Sequence, residues 1–345
     1  MQFTSLKWMC VVLTSSLVGC SQITPLPEHQ VALSQTYPLQ TQGNYQVLSW
    51  DNYVNDQQLI NLVDLALVSN QDLKIASLRI HEAQAAYGIQ RAELFPNIGG
   101  NAGMERNHVP ADLSYVGREM TTSQYSVGLG MNQWELDLWG RIRSLNEAAL
   151  QQFFAVESNV QAVRNSLIQQ TVLSYLTLSE LDKRIYFAQR SVQNYEKSVR
   201  LFKRRYEVGA SSKVEYMQAK TMLSNGQALV TQLEKSRALT ANYLVQLVGQ
   251  PTSLHQTDLD QVTFKTGVLH TGLPSDLLLN RADIRASEAM LKSKHANINA
   301  ARAAFFPRIT LTGSLGTASA DLDGLFKSGS SVWSFAPSIS VPIFT

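Results

Sequence analysis

Two stretches of this chain, 211 positions apart, repeat one pattern. The first runs from Asp72-Leu73-Lys74 to Arg91-Ala92-Glu93-Leu94-Phe95-Pro96-Asn97-Ile98. The second runs from Asp283-Ile284-Arg285 to Arg302-Ala303-Ala304-Phe305-Phe306-Pro307-Arg308-Ile309. Superposed without a gap, they match at Asp72/Asp283, Ala85/Ala296, Arg91/Arg302, Ala92/Ala303, Phe95/Phe306, Pro96/Pro307 and Ile98/Ile309. An internal duplication of this kind means two copies of one supersecondary unit. After each Phe-Pro come about a dozen residues of strand character, a polar loop and a second such strand. Each half is therefore read as a helix feeding a β-hairpin, with the hairpins at 97–136 and 308–344.

The strands alternate. From Trp333, the residues Trp333, Phe335, Pro337, Ile339, Val341 and Ile343 fall on one face, and Ser334, Ala336, Ser338 and Ser340 on the other. Tyr125, Val127, Leu129 and Met131 alternate in the same way with Ser126, Gly128, Gly130 and Asn132. One face suits lipid and the other water. Tyr125, Val127, Leu129, Trp333, Phe335, Ile339 and Val341 are the expected lipid-facing positions. An ordinary half-buried hairpin also alternates, but soluble strands are typically about 5–6 residues long, whereas a tilted membrane strand needs about 9–11. Four strands are too few to close a barrel, since closed membrane barrels have about eight or more, so other copies of the chain must complete the sheet. A formal charge of 29 − 27 = +2 and the lack of any later apolar run of membrane-helix length fit this reading, because alternation hides a membrane strand from hydropathy. No basic block points to nucleic acid.

Between the hairpins the pattern changes. From Ile142 to Tyr206 there is neither proline nor glycine, and apolar or small residues recur at steps of four and three: Leu178, Leu181, Ile185, Ala188, Val192, Tyr195, Val199, Phe202, Tyr206. That is a coiled-coil seam. Upstream, Val156, Val160, Val163, Leu167 and Thr171 include two consecutive steps of four, a stutter that relaxes the supercoil. At 1.5 Å per residue such a helix is roughly 100 Å long, which fits a structural rod or the wall of a tunnel. It turns back at Val208-Gly209-Ala210-Ser211-Ser212. Gly209 can take the positive φ of a helix end, and Ser212 with Glu215 forms a capping box. The returning arm ends at Gly249-Gln250-Pro251, and 251–275 reads as a connector.

Lys7 precedes an apolar run from Trp8 to Val18 that is too short to span a bilayer and ends in Leu17-Val18-Gly19-Cys20. That tetrad resembles a bacterial lipobox, which implies cleavage after residue 19 and acylation of Cys20, and Ser21 resembles an outer-membrane sorting signal. Cys10 would leave with the signal peptide, so the mature chain has no disulfide partner for Cys20.

Four passages resemble one family. They are Trp50 with Tyr53 and Leu59 ahead of Ala66-Leu67 and Asn70-Gln71-Asp72-Leu73; Trp134-Glu135-Leu136-Asp137-Leu138-Trp139-Gly140-Arg141; Arg205-Tyr206-Glu207-Val208-Gly209; and Leu273-Pro274-Ser275-Asp276-Leu277-Leu278-Leu279-Asn280-Arg281-Ala282-Asp283-Ile284. Together they resemble the outer-membrane factors of tripartite efflux systems, the TolC superfamily, in its acylated OprM-like branch. The resemblance implies a mainly α fold with membrane β: a homotrimer in which four strands per protomer build a twelve-stranded β-barrel continuing into a periplasmic α-barrel of long helical hairpins. It also implies a periplasmic adaptor protein and an inner-membrane pump as partners, with Val208, Gly209 and Ala210 as the adaptor-contacting tip. The family continues past the fourth strand with a second long helical hairpin, so the sequence reads as C-terminally truncated. The expected organisation is a signal peptide 1–19, an acylated extended segment 20–55, a first repeat 56–250 with its long helical hairpin at 141–249, the connector 251–275, and an incomplete second repeat 276–345.

Enzymatic signatures are weak. The histidines at 29, 81, 108, 255, 270 and 295 form no HxxxH pair, so no metal site is expected. Gly128-Leu129-Gly130 lacks the third glycine of a dinucleotide fingerprint and sits within a strand. Glu135 and Asp137 are read as solvating a strand end. The expectation is a passive duct without catalytic residues or cofactor, located in the outer membrane and exporting drugs or other small molecules. The alternatives are a lipid-anchored periplasmic scaffold, or the duct of a protein-secretion or metal-export system.

Overall fold

The computed structural model describes residues 24–25, 50–254 and 275–344. Cys20, most of the extended segment and most of the connector lie outside the described residues. The elements are α1 (Gln57–Ser69), α2 (Gln71–Ala92), β1 (Ile98–Val109), β2 (Met120–Glu135), α3 (Arg141–Glu207), α4 (Lys213–Val248), α5 (Ala282–Ala303), β3 (Arg308–Ser319) and β4 (Ser331–Ser340). The chain is mainly helical with one antiparallel sheet, as expected. No described helix is long and apolar enough to cross a membrane.

The described residues form two compact units, one of 24–25, 81–156 and 286–344, the other of 50–80, 157–254 and 275–285. The first unit holds the sheet, in the order β1-β2-β3-β4 with every pair antiparallel. β2 runs to 16 residues, pairing with β1 over Met120–Met131 and with β3 from Tyr125 to Glu135, and the second ladder shifts register between Met131 and Trp134. Gln133 takes a φ of 47° there, and its N–H donates to Thr312 Oγ1 at 3.3 Å, giving the bulge a partner outside the ladder. Val341, expected among the strand positions, lies beyond β4. The ladder ends where Ser340 meets Arg308, and Pro342 has no N–H with which to extend it.

The second unit packs Leu59, Val63 and Ala66 of α1 with Leu167, Tyr175 and Leu178 of α3 and Leu244 and Val248 of α4. Asp56 caps α1 by accepting from the N–H groups of Gln58 and Leu59, and its other oxygen accepts from the Tyr175 hydroxyl at 2.7 Å. Asn70, buried between α1 and α2, donates to Leu247 O at 2.9 Å and accepts from Leu73 N at 2.8 Å. Gly249 ends α4 at φ 79°, and a Cβ there would lie 2.6 Å from Ser69 O, so both the conformation and the close approach need glycine. Along the α3 seam, Leu178, Leu181 and Ala188 are buried and Val192 and Tyr195 half-buried, with the bare backbone of Gly226 on α4 set against the last two. Arg237 of α4 and Asp182 of α3 form an ion pair beside this seam.

Candidate functional site

The sheet is two-faced. Residues directly opposed in an antiparallel ladder point to the same side. Gly99, Gly130, Ser314 and Ser334 therefore share a row, and Asn101, Gly128, Gly316 and Val332 the next. Between the row of Glu135 with Thr310 and the row of Glu105 with Gln124, this face carries glycine, serine, threonine, asparagine and alanine with one valine, and no ionisable side chain among the described residues. Ser314 and Ser334 hydrogen-bond across it at 2.7 Å.

The opposite face collects Leu129, Leu315 and Trp333 in one row, Met131, Gly313 and Phe335 in another, and Ile309 with Ile339 nearer the strand ends. Tyr125, Val127, Leu129, Trp333, Phe335 and Ile339 all lie on it, and Trp333 is 72% exposed, with nothing among the described residues to cover it. The Ile309 and Ser319 rows are ten residues apart, and Ser319 pairs with Tyr125. Ten residues span about 33 Å along a strand, or about 25 Å of height at the tilt of about 40° usual in membrane barrels, whose apolar band is about 25 Å tall. Beyond Tyr125 the same face turns polar with Ser123, Thr121, Arg106 and His108.

The base of the sheet is tied by groups that the sequence reading assigned to solvent. Glu135 does not solvate a strand end: its side chain is only 8% exposed and accepts from Arg141 Nη2 at 2.7 Å and Arg308 Nη2 at 2.8 Å. One carboxylate thus joins the end of β2, the start of α3 and the start of β3. Asp137 accepts from the backbone N–H of Arg143 at 2.8 Å and pairs with its guanidinium, satisfying a donor of the first helical turn. Trp139 stacks on Phe306 with ring centroids 5.0 Å apart, and its Nε1 donates to Pro307 O at 2.8 Å. Regular alternation would put Glu135 on the face of Tyr125 and Met131, and the register shift between Met131 and Trp134 moves it to the face of Thr310 and Arg308, so parity alone could not have found this contact.

Beside this base, Thr24 is held by α5. Its hydroxyl donates to Asn299 Oδ1 at 2.9 Å and accepts from Arg302 Nη1 at 2.8 Å, while Asn299 Nδ2 donates to Thr24 O at 3.2 Å. The duplicated position of buried Asn299 is Gly88, so the first repeat lacks this clasp.

The turn at Val208, Gly209 and Ala210 is closed on both sides. Ala210 N donates to Arg205 O and Gly209 N to Tyr206 O, the paired bonds of a Schellman motif, with Gly209 at φ 74°. Ser212 caps α4 through Glu215 N at 3.2 Å, and Glu215 returns a bond to Ser212 N at 2.9 Å. Tyr206 stacks on Tyr216 across the two arms at 6.1 Å. Val208 is 78% exposed.

Comparison with known proteins gives this arrangement a family. The model for the outer membrane efflux protein family matches residues 62–250 and 273–345. The solvent efflux pump outer membrane protein SrpC of Pseudomonas putida is 38% identical over 355 residues, covering 100% of this chain and 74% of that protein. Outer membrane protein OprJ of Pseudomonas aeruginosa is 38% identical over 299 residues, covering 86% of this chain and 62% of its own. Among solved structures, the open state of the Neisseria gonorrhoeae MtrE outer membrane channel superposes with a TM-score of 0.81 at 36% identity, over 94% of this chain and 73% of that one. With its two-faced sheet and long helical hairpin, the chain belongs to the outer membrane efflux protein family, and is an efflux channel protein of the outer membrane.

Proposed function

We propose that this chain is the passive outer-membrane duct of a tripartite pump, in which three copies close a twelve-stranded barrel around the uncharged polar face of the sheet. The observation that carries this reading is the sheet itself, whose apolar face has the height of a bilayer core while both of its edge strands, β1 and β4, have a free side. Backbone groups in hydrocarbon need partners, so the edges must be closed by further copies. The half-buried Tyr125 and the exposed Val127, Leu129, Trp333, Phe335 and Ile339 then face lipid, and α3 with α4 contributes to the wall of a periplasmic tunnel. The duct does no chemistry, and energy and selectivity come from an adaptor, docked at Val208, Gly209 and Ala210, and from an inner-membrane pump. The name of the SrpC relative favours small organic solutes as cargo.

Cys20 is the lipid attachment point in this reading, supported by the clasp on Thr24 four residues further on. The duplicated passages are read as two copies of one repeat, 56–250 and 276–345, joined by the connector at 251–275. The test is a deletion strain complemented by the complete gene. Restored tolerance to solvents and drugs, with heat-resistant trimers in outer-membrane extracts, is expected. Release of the protein by loss of the anchor alone would favour a lipid-anchored scaffold instead. Replacing Cys20 by serine should abolish palmitate labelling, and persistent labelling would remove the lipoprotein reading.

A further inference from the structure

The aromatic lock at the base of the sheet occurs once among the described residues, yet the sequence holds the parts for a second. Trp139 lies on the segment leaving the first hairpin, four residues past Glu135, the last residue of β2. Phe306-Pro307 is the segment entering the second hairpin, and the stack of Trp139 on Phe306 joins one hairpin's exit to the next hairpin's entry. The duplication places Phe95-Pro96 at the entry of the first hairpin. Phe344 lies on the exit of the second, four residues past Ser340, the last residue of β4. The Phe95 ring is bare, at 64% exposure. The two phenylalanines belong to opposite edges of the sheet, Phe95 beside β1 and Phe344 beside β4, with β2 and β3 between.

We propose that Phe344 of one copy stacks on Phe95 of the next copy, repeating between chains the lock that Trp139 and Phe306 make within one. This rests on the trimeric reading, in which β4 of each copy pairs with β1 of its neighbour, so that the exit of one hairpin again meets the entry of the following one. Three such contacts alternate with the three internal locks around the barrel base. The two kinds differ in one respect: Trp139 also donates its indole N–H to Pro307 O, a bond that a phenylalanine has no donor to make toward the Pro96 carbonyl.

The test uses the protein expressed from its complete gene and the temperature at which detergent-resistant trimers dissociate on a gel. Phe95→Ala and Phe344→Ala should each lower that temperature, and the double variant should lose no more than the larger single loss, because both remove one contact. Phe344→Trp should raise it by supplying the missing donor. In a Phe95→Cys, Phe344→Cys double variant, a short bismaleimide should yield linked dimers and trimers. Additive losses, unchanged dissociation, or cross-links confined to single chains would overturn the proposal while leaving the trimer intact. Wild-type protein that gives no resistant trimer would overturn the trimeric reading and the inter-chain stack with it.

Discussion

Gly128 of β2 and Gly316 of β3 face each other across the ladder with no space for a side chain between them. A Cβ on Gly128 would lie 2.8 Å from the Leu315 carbonyl oxygen and 3.0 Å from Gly316 Cα. The strands approach closely here, on the polar face and only a few residues from the bulge.

Gly128→Ala and Gly316→Ala should therefore each push β2 and β3 apart, at a cost of about 1–3 kcal/mol for overpacking. Gly99→Ala and Gly103→Ala, whose added Cβ would meet nothing within 4 Å, are the matched controls. Trimer yield in outer-membrane extracts checks this. Equal yields for all four variants would show that the close approach at Gly128 carries no weight.

Glu135→Gln keeps the shape of the side chain but removes its charge and turns one of its two acceptor oxygens into an amide donor, so Arg141 and Arg308 no longer share a carboxylate. Breaking a fully buried pair costs about 3–5 kcal/mol, but Arg308 is half exposed and regains solvation, so about 1–3 kcal/mol is expected. Denaturant unfolding in detergent should show the loss. Arg308→Gln should cost less than Arg141→Gln, because Arg141 is the more deeply buried partner.

These groups mark the boundary of what the sequence disclosed. Alternation along Trp333 to Ile339 and Tyr125 to Met131 was legible because strand periodicity is local and the two faces differ sharply in polarity. The turn at Gly209 and the capping box of Ser212 with Glu215 were legible for the same reason, being set by residues a few positions apart. The bulge near Gln133 was not, since a non-glycine residue with positive φ has no sequence signature. The exit of Val341 from β4 depended on where the pairing with Arg308 stops. The pairing of Glu135 with Arg308 spans 173 positions, and the clasp of Asn299 on Thr24 spans 275, so only the assembled fold brings either together.

Acid should loosen the tip. The Ser211 hydroxyl and the Ser212 N–H hold the Glu215 carboxyl below its ordinary value. A carboxylate whose folded pKa is depressed stabilises fully above its unfolded pKa, and that contribution is lost as the pH falls through the folded value. Hydrogen exchange at the first amides of α4 should accordingly lose protection on acidification. In Glu215→Gln the protection should be low already and insensitive to this titration. Equal pH dependence in wild type and variant would sink the assignment.

Val208 distinguishes a docking tip from a simple turn. The Schellman bonds and the capping box use the N–H groups of Gly209, Ala210, Ser212 and Glu215, so the exposed apolar side chain of Val208 and close approach at Gly209 are the features that recognition at the turn would use. Gly209→Val harms both roles, since a β-branched residue resists a φ of 74°. Val208→Asp separates them: a mere turn tolerates a surface charge at roughly 0.5 kcal/mol or less, whereas a docked residue leaves an unpaired charge desolvated against the adaptor. Expressed from the complete gene, Val208→Asp should give normal trimer abundance with lost export and lost cross-linking to the adaptor. Cross-linking at the wild-type level would return Val208 to the role of a turn residue.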